Sequence, residues 1–198
     1  MKKNIILIAF TILSFSLSAQ VWIEGFSMYS IPMNDWASNG SRTFNVEGQD
    51  PVTVSNKEIF KYFADPQFGG GINLHYSKNK LIVGMEMGYV HYKPATDYLS
   101  VNNFRIGPII EYFFKNESRF QPYIGGEFGI QQITIHYDKV LLGFPDFSDT
   151  YFGIGPRAGL VYMFSRKTAL RLGAKYVYLD TMPYLDISVG FSVNVGDF

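Results

Sequence analysis

Apolar side chains alternate with polar side chains or glycine along most of the chain after position 66. In residues 150–164, for example, Phe152 and Ile154 fall on even positions, whereas Gly153 and Arg157 fall on odd ones. A period of two places successive side chains on opposite faces of a β-strand, so each segment has one apolar face. Short charged turns and longer loops separate the segments in alternation. The pattern therefore predicts consecutive antiparallel strands joined as a meander.

Eight strands are predicted in this way. They cover residues 21–30, 67–76, 81–92, 99–114, 120–137, 150–164, 168–179 and 184–195. Segments of about ten residues can cross a bilayer when tilted, and closure into a barrel pairs every backbone polar group. We therefore predict an all-β fold, an eight-stranded antiparallel transmembrane β-barrel with up-and-down meander connections. The short turns at 77–80, 115–119 and 165–167 and both chain ends should face the periplasm.

A soluble secreted barrel with an apolar interior is the alternative to a membrane barrel. Two features favour the membrane. The apolar face ends beside the short turns in aromatic pairs, Tyr112 with Phe114 and Tyr162 with Phe164, as expected of an interfacial girdle. The other face carries glycine and charge, which would line a poor pocket for an apolar ligand.

Two strands depart from simple alternation. In residues 21–30 apolar side chains occupy both parities, which leaves the direction of Glu24 open. In residues 120–137 the apolar parity changes at Gln131-Gln132. That change indicates either a β-bulge or an extension of the strand above the bilayer.

The first nineteen residues are predicted to be a secretory signal peptide. Lys2 and Lys3 form a basic start, residues 5–17 are apolar, and Leu17-Ser18-Ala19 fits a cleavage site. The apolar stretch of thirteen residues is too short for an uncleaved helix across a hydrocarbon core of about 30 Å. We therefore expect cleavage of residues 1–19, with residues 20–198 forming one outer-membrane domain.

Composition narrows the possible functions. Without residues 1–19 the chain carries fifteen basic and seventeen acidic residues and no basic run, so nucleic acid is not expected as a partner. Aromatic residues make up 17% of the chain, in keeping with interfacial girdles. The chain has no cysteine, which excludes disulfides and thiolate chemistry.

Residues 31–65 form the largest insertion, a long extracellular loop, and the favoured recognition surface, because barrels vary function in their loops. Residues 55–58 match a helix capping box, so residues 55–63 are either a short amphipathic helix or an irregular loop. Residues 43–46 and 52–54 could form an extra hairpin that is too short to span lipid.

Residues 122–129, the two Ile-Gly-Pro segments that end at Pro108 and Pro156, and the terminal Phe198 resemble a known family. They are similar to small outer-membrane β-barrel proteins of the porin-family and OmpA/OmpX-like type, as found in Bacteroidetes. The resemblance implies an outer-membrane location, with outer-membrane lipid, lipopolysaccharide and the insertion machinery as partners. Phe198 is out of parity with Val195, so the chain must bend at 196–197 if Phe198 is to face lipid as an assembly signal.

Each of the three histidines precedes a tyrosine, at His75, His91 and His136. All three pairs lie at predicted strand ends, which favours a role in the aromatic girdle over metal binding, and we predict no metal or cofactor. Some barrels of this size are lipid A acylhydrolases or acyltransferases. No serine adjoins a histidine and no G-x-S-x-G elbow occurs, so an enzyme is the less favoured alternative.

Parity places charged side chains in the lumen. They are four acids and four bases: Glu86, Glu111, Glu127, Asp186, Arg105, Arg157, Arg171 and Lys175. If Phe164 faces Thr168 across the last short turn, then Arg157 lies opposite Lys175 and an anion must separate them. We expect Glu127, set against Gly107, to bridge the two cations in a cluster that plugs the barrel. Removing one member would then cost roughly 3–5 kcal/mol.

The sequence thus favours a non-enzymatic outer-membrane barrel with a side-chain-filled lumen. It would act through its extracellular loops in adhesion, envelope integrity or binding of an extracellular protein or surface ligand. The alternatives are a narrow pore, a lipid A-modifying enzyme and a component of a secretion or gliding apparatus.

Overall fold

Eight long strands close into one antiparallel barrel in a computed structural model of the protein, which describes residues 20–33, 41–44, 52–55, 66–92, 99–114, 118–137, 146–179 and 183–197. The barrel strands are β1 (Gln20–Pro32), β4 (Gln67–Lys78), β5 (Leu81–Tyr92), β6 (Leu99–Phe113), β7 (Phe120–Tyr137), β8 (Phe147–Met163), β9 (Thr168–Val177) and β10 (Tyr184–Asp197). Consecutive barrel strands pair with each other, and β1 pairs with β10 to close the barrel. The predicted fold, strand number and meander connectivity are confirmed. None of the described residues forms a helix long and apolar enough to cross a membrane.

The short turns set the register of the strands they join. Lys78 pairs with Leu81, which leaves a two-residue turn in which Asn79 has a φ of 55°. Asparagine tolerates this left-handed conformation better than most residues. At the last short turn the Phe164 amide donates to the Thr168 carbonyl at 3.0 Å, so the condition on which the register argument depended is met.

A small second sheet lies within the long insertion. Its strands are β2 (Ser41–Phe44) and β3 (Val52–Ser55), paired antiparallel from Ser41 opposite Ser55 to Phe44 opposite Val52. The predicted extra hairpin is therefore present, with its first strand starting two residues earlier. Beyond residue 55, the segment of the possible helix lies outside the described residues.

The two ambiguous strands are now resolved. On β1, Glu24 is 4% exposed and points into the lumen. On β7 the odd positions stay inside throughout, because Gln131, Ile133 and Ile135 are all buried. The strand pairs with β8 without a register shift, so the β-bulge alternative is wrong. What changes at Gln131 is the polarity of the two faces: the inward face becomes apolar and the outward face becomes polar.

A β-bulge does occur near the C-terminus. Val21 pairs with Gly196 but Trp22 pairs with Asn194, so the register of β10 shifts by one residue at Val195. The parity of Phe198 required a bend near the end of the chain if that residue is to face lipid, and this shift is an irregularity of that kind. Phe198 itself lies outside the described residues.

The lumen is built in layers. Near the short turns lies an apolar cluster of Trp22, Ile82, Phe113, Tyr123, Val161 and Ala169. Towards the opposite end lies a second cluster of Phe26, Met28, Val90, Tyr92, Val101, Ile133, Ile135, Val177, Leu179 and Tyr184. The charged residues occupy positions between these clusters along the inner faces of the same strands. The charged layer therefore lies between apolar side chains at both ends.

Candidate functional site

Nine charged side chains meet in the middle of the lumen. They are Glu24, Glu86, Glu111, Glu127, Asp186, Arg105, Arg157, Arg171 and Lys175, with side-chain exposures between 0% and 11%. Eight of them were predicted from parity, and Glu24 is the addition. With every group ionised, the network holds five negative and four positive charges.

The first half of the network surrounds Arg157 and Lys175, which pair in register on β8 and β9. Lys175 Nζ lies 2.9 Å from Glu127 Oε2, and Arg157 Nη1 lies 3.5 Å from the same oxygen. Glu86 also bridges the two cations, through a contact of 2.9 Å to Arg157 Nη1 and an ion pair with Lys175. Two carboxylates therefore separate the cations where the sequence suggested one. Glu127 lies opposite Ile109 and not opposite the expected Gly107.

The second half of the network centres on Arg171. Its Nη2 donates to both oxygens of Glu111, at 2.8 and 2.7 Å, and its Nε lies 3.2 Å from Glu24 Oε2. Its guanidinium also lies over the ring of Tyr123 at 4.6 Å. Glu111 Oε1 is 2.9 Å from Arg157 Nε, which joins this half of the network to the first.

Arg105 and Asp186 complete the layer on the side away from the short turns. Arg105 Nη1 lies 2.7 Å from Asp186 Oδ2, and its guanidinium lies over the ring of Tyr184 at 5.1 Å. Lumen glycines leave the space that these long side chains occupy. A Cβ atom at Gly88 would approach Arg105 Nε to 2.7 Å, and one at Gly190 would overlap Glu24 Oε1.

Little free space remains inside this layer. Two cavities among the charged residues have volumes of about 20 and 10 Å³, each room for roughly one water molecule. A larger cavity of about 180 Å³ opens beside the short turns and is lined by Trp22, His75 and Arg171 among others. Among the described residues, ion-paired side chains occupy this layer of the lumen.

The histidine and tyrosine pairs divide between the two faces. His75 and Tyr92 are buried in the lumen, where the Tyr92 and Ser30 hydroxyls are 2.7 Å apart, so the girdle interpretation is wrong for these two residues. Tyr76 faces outward and is 39% exposed. His91 and His136 also face outward, near the ends of their strands that lie away from the short turns.

His91 and His136 are linked through one amide on the outer surface. Nδ1 of His91 lies 2.6 Å from Asn102 Oδ1, and Asn102 Nδ2 lies 2.9 Å from Nε2 of His136. Nδ1 of His136 lies 3.1 Å from Asp146 Oδ2, and Tyr89 donates to Asn102 Oδ1 at 2.8 Å. We call these five side chains the rim cluster. A hydrolase would need a hydroxyl at His136 Nε2, where the described contact is an amide.

A closed eight-stranded barrel with an apolar outer belt and a charged, filled interior defines an integral outer-membrane β-barrel protein. The chain belongs to the family described as outer membrane protein beta-barrel domain, whose model matches residues 12–194. No curated protein matches the chain significantly.

Solved structures share the fold at low identity. Neisserial surface protein A is 17% identical, with a TM-score of 0.59 over 88% of this chain and 96% of its own. OprG from Pseudomonas aeruginosa is 15% identical, with a TM-score of 0.58 over 90% of this chain and 97% of its own. Ail of Yersinia pestis, crystallised with the heparin analogue sucrose octasulfate, is 9% identical, with a TM-score of 0.56 over 89% of this chain and 98% of its own.

Proposed function

We propose that the protein is a closed barrel that binds a partner at its extracellular end and neither transports solutes nor catalyses a reaction. The observation that carries this proposal is the filled lumen, in which an ion-paired layer lies between two apolar clusters. A barrel of eight strands has an interior only wide enough for its own side chains. The exposed loops are then the part of the barrel in which function can vary.

The net charge of the loops restricts the kinds of partner that they can bind. The extracellular connections, residues 33–66, 93–98, 138–146 and 180–183, hold nine acidic and five basic residues. The periplasmic turns, residues 77–80, 115–119 and 165–167, hold six basic and one acidic residue. An acidic surface repels polyanions and attracts basic or neutral surfaces. The proposed partner is therefore a protein with a basic or uncharged face, in contrast to the sulfated ligand crystallised with Ail.

Replacing residues 34–65 by a short Gly-Ser linker tests the proposal, because the barrel strands on either side remain intact. Crosslinking in the native envelope, followed by co-purification, should recover an outer-surface partner with the parent protein and lose it with the loop variant. Replacement of residues 138–145 provides a matched control for loop removal as such. Recovery of the same partner after both replacements, or only of periplasmic machinery, would refute the proposal and favour a secretion-apparatus component.

A further inference from the structure

We propose that His91 and His136 bind a divalent transition-metal ion on the outer surface of the barrel, with the side-chain oxygen of Asn102 as the third protein ligand. This site goes beyond the proposed partner binding. The three residues come from β5, β6 and β7, which are neighbouring strands. Nitrogen and oxygen ligands of this kind suit Cu²⁺, Zn²⁺ and Ni²⁺.

The backbone register brings the two rings together. His91 pairs with Asn102 across β5 and β6, and Ser100, two residues from Asn102 on the same outward face, pairs with His136 across β6 and β7. Both imidazoles can therefore reach the Asn102 side chain from opposite sides. They do so at 2.6 and 2.9 Å, one at the amide oxygen and one at the amide nitrogen.

The hydrogen bonds define the protonation of His136. The Asn102 amide nitrogen is only a donor, so His136 must accept through a lone pair on Nε2. Asp146, 3.1 Å from Nδ1, accepts the proton that remains on the other ring nitrogen. A carboxylate behind a histidine in this way fixes the tautomer and ring orientation in metal sites. His136 thus already has an unprotonated Nε2, whose lone pair becomes available to a metal ion once the Asn102 amide nitrogen moves away.

Binding requires changes at the other two ligands. Rotation of the Asn102 amide moves its nitrogen away and leaves its oxygen facing the ion. His91, which donates from Nδ1 to that oxygen in the absence of metal, takes the tautomer protonated at Nε2 and coordinates through Nδ1. Water fills the remaining positions.

The kinds of ligand present determine what kind of metal site this would be. Among the described residues, no group of three or more His, Cys, Asp or Glu side chains is arranged to hold a metal ion. The proposed site therefore depends on an amide oxygen and open water positions, which fit an exchangeable ion better than a structural one. The acidic excess of the extracellular loops raises the local concentration of cations near the site.

The test uses the mature protein without a polyhistidine tag, titrated with Cu²⁺ and followed by electron paramagnetic resonance. We expect one ion per barrel, with hyperfine coupling to two imidazole nitrogens. His91→Gln and His136→Gln should each abolish the two-nitrogen signal and weaken binding by more than about tenfold, and Asp146→Asn should weaken it by about tenfold. His75→Gln is the matched control, because His75 is buried in the lumen.

Heat-dependent gel migration verifies that each variant is a folded barrel before titration. Cu²⁺ binding that is equally tight in His91→Gln and His136→Gln would overturn the proposal. A spectrum without nitrogen coupling, or a loss of binding only in His75→Gln, would also overturn it. The rim cluster would then be a hydrogen-bond network only.

Discussion

With every lumen group ionised, the excess of one negative charge predicts that removing a base is more damaging than removing an acid. Lys175 contacts Glu127 Oε2 at 2.9 Å, Asp186 Oδ2 at 3.9 Å, and Glu86. The change Lys175→Met leaves these carboxylates together with one base fewer and raises the excess to two negative charges. Breaking a buried ion pair from one side in this way costs roughly 3–5 kcal/mol.

The change Glu127→Gln acts in the opposite direction. It leaves four acids and four bases, and Lys175 and Arg157 both keep Glu86 as a partner. The glutamine oxygen can still accept a hydrogen bond, so the expected loss is about 1 kcal/mol. This value is smaller than the loss expected from sequence, because that estimate included neither the bridging role of Glu86 nor the lumen position of Glu24.

Urea unfolding of the barrel in lipid vesicles, followed by tryptophan fluorescence, provides the measurement. The double variant Glu127→Gln with Lys175→Met restores the excess to one negative charge. We therefore expect it to be more stable than the sum of the single losses by about 1–3 kcal/mol. Equal losses for the two single variants, or strictly additive losses, would refute the charge-balance argument.

Three further predictions concern the whole barrel. Unboiled and boiled samples should migrate differently in SDS gels, because a closed barrel has no edge strand from which to unravel; identical migration would contradict closure. Planar-bilayer recordings should show no stable open level, because the ion-paired layer fills the lumen; a steady ion current would favour the narrow pore. Gly190→Ala should lower the free energy of unfolding by about 1–3 kcal/mol, because the new Cβ displaces Glu24. Gly25→Ala should be nearly neutral, because its Cβ would meet nothing within 4 Å. Equal effects of the two changes would show that space in the lumen is not limiting.

The fold could be predicted from sequence because two local signals agree. Alternation gives the strands, and the short turns give their register without any knowledge of distant contacts. The pairing of Arg157 with Lys175 follows from the turn at 165–167 by counting alone. Counting residues could not predict which acid would pair with which base. Glu86 reaches Lys175 across the lumen from β5, a strand that does not neighbour β9.

The inward direction of Glu24 could not be predicted from the sequence for a different reason. Its inward neighbours on β1 include Trp22, Phe26 and Met28, which belong to the apolar clusters that close the charged layer. Parity arguments assume that one face is polar along its whole length. In this barrel the lumen is apolar at both ends, so the inner face of a strand changes character along its length.

The same layering explains β7 and predicts where the bilayer ends. Ile130 is 54% exposed on the outer surface, but the next outward residue, Gln132, is polar and donates to Ser148 at 3.3 Å. Because the strand continues without a bulge, the outward face leaves hydrocarbon between these two positions while the inner face enters the apolar cluster. The protein has no native cysteine, so single cysteines can locate this boundary. In intact cells a membrane-impermeant maleimide should label Gln132→Cys quickly and Ile130→Cys slowly. Equal labelling of the two variants would show that β7 does not leave the bilayer at Gln131.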